Sequence, residues 1–155
     1  MHLTRFTDYS IRVLLLVATS PQGRSTISEA ARAFGISVHH LVKVVNLLGH
    51  EGLLVNTRGR GGGVRLAVAP SQIRLGRVVR ATEGKNLLAE CFAPGSNGCA
   101  IAGACRFSGV LRESLDAFFA VLDRYTLQDL LDNPSGIVAV LHRHELREET
   151  AAAMV

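Results

Sequence analysis

The sequence predicts a mainly α fold with one small β-hairpin, followed by a cysteine-bearing loop and a further long helix. Three observations predict it. Apolar residues recur at helical spacing through the first fifty residues, two β-prone runs flank a Gly/Arg tip at 53–68, and a wide apolar stripe runs through 107–131. The 155 residues are 48% apolar and 19% charged, which suits one globular domain, or one domain with an appended element.

The first helix is predicted over 7–19. Thr7 is a favourable N-cap, and apolar side chains recur at helical spacing as far as Ala18. The Pro-Gln-Gly segment at 21–23 then ends the helix.

A helix, a tight turn and a second helix follow. The first of the pair is predicted after Ser28, over 29–34, and Gly35 supplies the turn. Ser37 caps the second, over 38–49. This spacing is typical of a helix-turn-helix, although an ordinary helical hairpin would show the same local pattern. The inner face of the second helix is predicted to hold Leu41, Val44, Val45 and Leu48.

The Gly/Arg segment at 53–68 is predicted to form a hairpin wing. Its glycines would let the backbone approach a surface closely, and its arginines Arg58, Arg60 and Arg65 are placed to reach phosphates. A nucleotide-binding P-loop is disfavoured, because no Gly-Lys-Ser/Thr sequence follows. Helix-turn-helix and wing together predict a winged helix-turn-helix DNA-binding domain over 1–82.

Charge is divided unevenly along the chain. Residues 1–80 hold eleven Lys or Arg and three Asp or Glu, a net +8, whereas residues 81–155 hold six and ten, a net −4. The basic first half favours a polyanionic partner, and double-stranded DNA fits the predicted fold. A solvated cationic face is the alternative.

The second half is organised around a loop at 83–106, between a short helix predicted over 75–82 and a long helix over 107–132 with a tail over 133–155. The long helix has an unusually wide apolar stripe that needs a partner. We expect it to pair with its copy in a homodimer, because DNA readers of this type pair to match palindromic sites.

All three cysteines of the chain, Cys91, Cys99 and Cys105, lie in this loop. An odd count argues against a purely internal disulfide framework, and thiolates gathered in one loop form a ligand set for a soft metal. Zinc is disfavoured by gaps of seven and five residues, because zinc pairs usually lie two to four residues apart. A thiol redox switch fits the count and stays open.

We expect a cytoplasmic protein. Free thiols indicate a reducing compartment. The apolar stretch at 11–18 is interrupted by Arg12 and lacks a cleavage site, so it does not read as a signal peptide, and no apolar run approaches the length of a membrane span.

Four segments together resemble the Rrf2 family of winged-helix regulators, namely 6–13, the wing at 58–66, 104–106 and 125–130. The resemblance covers about residues 1–132. It is most similar to the nitric-oxide-sensing repressors of that family. It implies a homodimer, an iron–sulfur cluster in the cysteine loop ([4Fe–4S] favoured, [2Fe–2S] the alternative), and repression relieved when the cluster reacts. The gap from Cys91 to Cys99 is longer than in some relatives.

The resemblance also implies a fourth ligand. One branch of the family uses a histidine three residues after its last cysteine, where this chain has Ser108. The position of Asp8 matches an aspartate that would complete the cluster from the partner subunit's first helix. A first-turn acid favoured by the helix dipole is the alternative reading of Asp8. Weaker ligand candidates are Glu90, His142 and His144.

The sequence therefore favours a transcriptional repressor that binds a palindromic operator and senses nitric oxide. A sensor of iron or cluster supply in the same family, and a small iron–sulfur carrier, are the alternatives. No Ser/His/Asp or paired-carboxylate arrangement supports an enzyme. Residues expected to contact DNA are Ser28, Ser37, His39, His40, Lys43, Arg58, Arg60 and Arg65.

Overall fold

The computed structural model describes residues 2–57, 59, 62–84, 99–101, 104–132 and 136. In these ranges the chain is mainly helical, with a two-stranded antiparallel sheet, as predicted. The elements in chain order are α1 Arg5–Thr19, α2 Ile27–Phe34, α3 Val38–His50, β1 Leu54–Thr57, β2 Gly63–Leu66, a 3-10 turn Pro70–Gln72, α4 Leu75–Glu83, α5 Arg106–Leu122 and a 3-10 turn Gln128–Leu130.

Helix α1 begins at Arg5, two residues earlier than predicted, with Thr4 at the N-cap position. The prediction that Thr7 caps this helix is wrong. Thr7 is buried inside the first turn, and its hydroxyl is hydrogen-bonded to the side chains of Thr82 and Glu83 on α4. The hydroxyl therefore serves a tertiary contact between α1 and α4 instead of the helix start.

Helices α2 and α3 form the predicted helix-turn-helix. Thr26, not Ser28, caps α2. Its hydroxyl accepts from the Glu29 N–H at 3.1 Å, and its own N–H donates to the Glu29 carboxylate at 2.7 Å. Gly35 ends α2 with φ at +63°, a left-handed conformation that favours glycine. Ser37 caps α3 as predicted, by accepting from the His40 N–H.

The core lies between α1, α3 and α4. The predicted inner face of α3 is fully confirmed, since all four of its apolar residues are buried. The completely buried side chains include Leu14 of α1, Leu41 and Leu48 of α3, Leu53, Ile73, Val78 of α4 and Leu127.

The wing is a hairpin in which Leu54 pairs with Leu66 and Thr57 with Gly63. Ser25, between α1 and α2, adds one further rung. Its N–H donates to the Val64 carbonyl at 3.0 Å, and the Val64 N–H donates back at 2.7 Å. A Cβ on Gly63 would lie 2.9 Å from the Ser25 carbonyl oxygen, so this close pairing requires glycine. The base of the wing is thereby fixed to the helix-turn-helix.

Helix α5 is shorter than the predicted long helix, because the chain leaves it at Leu122 and returns to the core. The Leu75 N–H donates to the Tyr125 carbonyl at 3.0 Å, and the Leu127 N–H donates to the Ile73 carbonyl at 2.8 Å. Leu127 is then completely buried beside α1 and α3. None of the helices described is both long and apolar enough to span a lipid bilayer.

Candidate nucleic-acid interface and cysteine loop

The outward face of α3 presents the residues predicted to contact DNA. Ser37, His39, His40 and Lys43 are all exposed at the N-terminal end of this helix, opposite its buried apolar face. Ser28 is exposed near the start of α2. The fold therefore brings these five residues to the surface of one helix-turn-helix.

The side chain of His40 is oriented by its neighbours. Its Nδ1 lies 3.0 Å from the Ser37 hydroxyl, and its ring lies 6.4 Å from the ring of Tyr9 on α1. The tautomer that accepts from Ser37 at Nδ1 carries its N–H at Nε2, where it can donate to another group. Such a donor suits an acceptor on a base edge or a phosphate.

The wing is anchored by two arginines. Arg24 donates to the Gly62 carbonyl at 3.0 Å, and Arg65 lies exposed with its guanidinium near the Gln22 carbonyl at 3.4 Å. Sequence reasoning missed the role of Arg24, because its partner is a backbone group 38 residues away. Arg58 and Arg60, predicted to reach the phosphates, lie outside the described residues.

The carboxylate of Glu29 is committed to the helix-turn-helix. Partial burial opposes its ionisation, but hydrogen bonds from the Thr26 N–H and the Ser25 hydroxyl outweigh that burial and lower its pKa. The negative charge of Glu29 therefore stabilises the capped N-terminus of α2.

Two of the three cysteines are described. Cys99 is an exposed free thiol, and Cys105 is half-buried and free, at the N-cap position of α5. A helix N-terminus favours an anionic group, such as a metal-bound thiolate. Cys91 lies outside the described residues, as do Glu90, His142 and His144. Within the described part of the chain, no group of three or more His, Cys, Asp or Glu could hold a metal ion.

Asp8 is exposed on the first turn of α1 and is paired with Arg12 one turn later. The Arg12 Nη2 lies 2.8 Å from one carboxylate oxygen of Asp8, and the Arg12 Nε lies 3.0 Å from the other. The Arg12 guanidinium also lies 5.9 Å from the ring centre of Phe34, which ties the pair to the end of α2.

The position where one branch of the family has a ligand histidine holds Ser108 in this chain. The Ser108 hydroxyl donates to the Cys105 carbonyl at 2.7 Å.

A polar cluster joins α1 to the end of α4, directly before the cysteine loop. The Glu83 carboxylate accepts from the Thr4 N–H at 2.7 Å, from the Thr4 hydroxyl at 3.0 Å and from the Thr7 hydroxyl, while Thr82 lies 2.6 Å from Thr7. Partial burial works against ionisation of Glu83, but these hydrogen bonds prevail and lower its pKa. We call these four residues the Glu83 cluster. Nothing in the sequence signals this cluster, since Thr4 and Thr7 lie more than seventy residues before Thr82 and Glu83.

Helix α5 divides its apolar residues between two faces. Phe119 is buried against α4, with the Arg80 guanidinium 4.1 Å above its ring, and Arg80 makes a two-pronged ion pair with Asp123. Phe119 is thus buried within its own subunit, so this part of the predicted apolar stripe is covered without a second copy. Phe107, Val110 and Val121 are instead exposed at helical spacing on the other face.

The chain is similar to known transcriptional regulators over most of its length. A family profile described as Rrf2, iron-dependent transcriptional regulator, matches residues 3–133. The chain is 45% identical over 142 residues to the HTH-type transcriptional regulator NsrR of Halalkalibacterium halodurans, covering 91% of this chain and 97% of that protein. It is 44% identical over 146 residues to the NsrR of Bacillus subtilis strain 168, covering 94% and 100%.

Solved structures agree on the fold. The structure resembles CymR of Staphylococcus aureus with a TM-score of 0.63 at 25% identity, covering 83% of this chain and 97% of that chain. It resembles T. potens IscR with a TM-score of 0.68 at 22% identity, covering 86% and 88%. These likenesses confirm the predicted winged-helix fold.

Proposed function

The chain belongs to the Rrf2 family of transcriptional regulators, and from that premise we propose that it is a homodimeric repressor whose operator binding is switched by nitric oxide at an iron–sulfur cluster. It is a regulator of NsrR type.

One observation carries the proposal. A helix-turn-helix with an exposed polar and basic face occurs in the same chain as a segment, 91–105, that holds all three cysteines. A free iron–sulfur carrier would need no such DNA-reading face. A sensor needs both parts in one molecule.

The donor set fits an iron–sulfur cluster. Cys91, Cys99 and Cys105 would supply three thiolates, and Cys99 and Cys105 are free and reachable. Asp8 of the partner subunit would supply the fourth ligand, since Asp8 is exposed and its Arg12 partner is also exposed and able to move aside. When bound, a cluster with three thiolates and one oxygen ligand supplies an iron that is more open to a diatomic molecule than a four-thiolate site ([4Fe–4S] favoured, [2Fe–2S] the alternative).

The chain's own residues can carry the signal to DNA. The Glu83 cluster holds the N-terminal turn of α1 to the last turn of α4, where the cysteine loop begins. Asp8 follows Thr7 directly on that turn. Release of the loop ligands and of Asp8 would therefore act on a helix turn and a loop end that the Glu83 cluster holds together. Coupling of about 1–3 kcal/mol between the two sites changes affinity 5- to 150-fold, which suffices for a switch.

On DNA, α3 would enter the major groove with Ser37, His39, His40 and Lys43 forward, and the wing arginines Arg58, Arg60 and Arg65 would reach the backbone or the minor groove. Two copies about 34 Å apart would match one turn of a palindromic operator. We propose a cytoplasmic dimer with no membrane association.

The deciding experiment titrates nitric oxide anaerobically into cluster-loaded protein bound to its operator. We expect DNA release to follow the loss of cluster absorbance. If binding persists after all cluster absorbance has bleached, and cluster-free protein binds equally well, the cluster is not the switch.

Sensing of iron or cluster supply is the second candidate, because the family profile is described as iron-dependent. The two candidates differ in one measurement. A supply sensor would change its operator affinity between the cluster-loaded and the cluster-free protein. It would keep that affinity at a nitric oxide dose that releases a nitric oxide sensor from DNA.

A further inference from the structure

Two valines on the outward face of α3 have no role in the core. The other apolar residues of this helix are mostly buried, but Val38 is 48% exposed and Val42 is 37% exposed. They lie four residues apart, and are therefore neighbours on one helix face, beside the exposed His39 and Lys43.

Local structure does not explain these valines. A β-branched residue loses side-chain freedom in a helix, so alanine would be the more favourable residue at an exposed position. Scattered exposed apolar residues are ordinary, but these two are adjacent and sit at the N-terminal end of the helix that a helix-turn-helix inserts into DNA.

The occupant of this apolar strip is identified by its surroundings. The strip is flanked by Lys43 and two histidines, and residues 1–80 carry a net charge of +8, which favours a polyanion over an apolar protein partner. In the major groove, the C5-methyl of thymine is the apolar group that base edges present. A valine side chain has no donor or acceptor, so it can distinguish bases only through that methyl group.

We propose that Val38 and Val42 read thymine methyl groups in the operator and thereby determine part of its sequence. This inference rests on the proposed DNA-binding function. His39, His40 and Lys43 would hydrogen-bond to bases or phosphates, while the valines select thymine at positions that those polar residues do not distinguish.

The test uses duplexes that the full-length protein itself selects from a random-sequence library. Each thymine of the selected half-site is replaced by uracil, which removes only the methyl group. We expect wild-type affinity to fall about fourfold at one or two positions, the equivalent of one buried methyl group, and about 10–20-fold when both half-sites are changed.

Substitutions assign the effect to the valines. In Val38→Ala or Val42→Ala the uracil penalty at the matching position should disappear. In Val55→Ala, a control at an exposed valine on β1, the full penalty should remain. Circular dichroism establishes that each variant is folded, which is expected since none of these side chains is buried.

Three results would overturn the inference. If wild-type protein binds selected duplexes with no uracil penalty at any position, the valines read no methyl group while the DNA-binding function stands. If the penalty is the same in all three variants, the methyl groups act through another residue or through DNA shape. If no duplex is selected, the DNA-binding function fails and this inference fails with it.

Discussion

At the scale of single residues, Asp8 is the most consequential side chain of the proposal, because Arg12 and the proposed cluster would compete for its carboxylate. Within one subunit the Asp8 carboxylate pairs with Arg12. Both side chains are exposed, so the ion pair contributes only about 0.3–0.5 kcal/mol. The proposed cluster, held by the cysteines of the other subunit, would need the same oxygens. Arg12 therefore orients the carboxylate without binding it tightly.

We predict opposite effects for the two members of this pair. Asp8→Ala should leave a coloured protein whose cluster is lost faster in air, because the fourth ligand is replaced by water. Arg12→Ala, the matched control, keeps the carboxylate and should retain the cluster at least as long. Absorbance decay measures both lifetimes. Equal lifetimes for Asp8→Ala and wild type would remove Asp8 from the ligand set.

Glu83 gives a pH dependence whose sign follows from its lowered pKa. A carboxylate with a folded pKa below its unfolded value of about 4.3 contributes stability at neutral pH, and loses it as pH falls through about 4.3 and below. Because Glu83 is only partly buried, the effect should be at most about 1 kcal/mol.

The measurement is urea unfolding at pH 7 and at pH 4. Glu83→Gln should be less stable than wild type at pH 7, and the difference should shrink at pH 4. Glu113→Gln, at an exposed position on α5, should show neither effect. A Glu83→Gln deficit that is unchanged at pH 4 would contradict the assignment.

At the scale of elements, the contact between α4 and the end of α5 depends on one glycine. A Cβ on Gly76 would lie 2.0 Å from a carboxylate oxygen of Asp123, whose two oxygens are bound by Arg80. Arg80 in turn covers Phe119. One small residue therefore admits the whole ion pair and the aromatic contact beneath it.

We predict that Gly76→Ala gains less stability than an ordinary Gly→Ala change in a helix, since Asp123 has to move away from Arg80 and the surface ion pair is lost. Gly49→Ala is the control, because its Cβ would meet only the Leu54 carbonyl oxygen at 3.8 Å. That variant should gain about 0.5–1 kcal/mol from helix propensity. Chemical denaturation compares the two variants, and equal stabilities would refute the steric account.

The two faces of α5 should respond differently to charge. Phe119→Asp places a carboxylate in the subunit interior and should unfold the protein at lower temperature. Val110→Asp lies on the exposed face and should leave subunit stability within about 0.5 kcal/mol while dissociating the dimer. Sedimentation and thermal unfolding separate the outcomes. A Val110→Asp protein that stays dimeric would place the seam elsewhere.

The elements that the sequence predicts well have local causes. Gly35 and Ser37 bound α2 and α3, and the Gly/Arg tip separates two β-prone runs, so these elements follow from neighbours along the chain. The end of α5 does not. Leu127 and Leu130 continue a helical pattern, but the pairings of Tyr125 with Leu75 and of Leu127 with Ile73 draw the chain away from the helix.

The same distinction applies to the candidate site. An Asp8–Arg12 pair follows from its spacing of four residues. The Glu83 cluster does not, because threonine and glutamate carry no signal for a partner more than seventy residues away. Cys91, Arg58 and Arg60 stay predictions, since they lie outside the described residues.

At the scale of the whole molecule, charge and fold are aligned. The basic residues 1–80 contain the helix-turn-helix and the wing, and the acidic residues 81–155 contain α5. The DNA phosphates should repel the acidic part, and this repulsion would orient the basic face toward the duplex.

Arg60→Ala tests this division through salt dependence. Loss of one phosphate contact per subunit should weaken binding to operator and random DNA alike, and should reduce the slope of log affinity against log salt by about 0.9 per contact. Arg124→Ala, an exposed arginine of the acidic half, should change neither quantity. An unchanged slope in Arg60→Ala would refute the phosphate contact.

The pairing of Ile73 with Leu127 has a consequence for how often the protein can be used. This pairing joins segments on either side of the cysteine loop and involves none of the proposed cluster ligands, so loss of the proposed cluster need not unfold the core. We expect the polypeptide to survive that loss. A cell could recharge the same molecule with fresh iron and sulfide after each exposure, instead of synthesising a replacement.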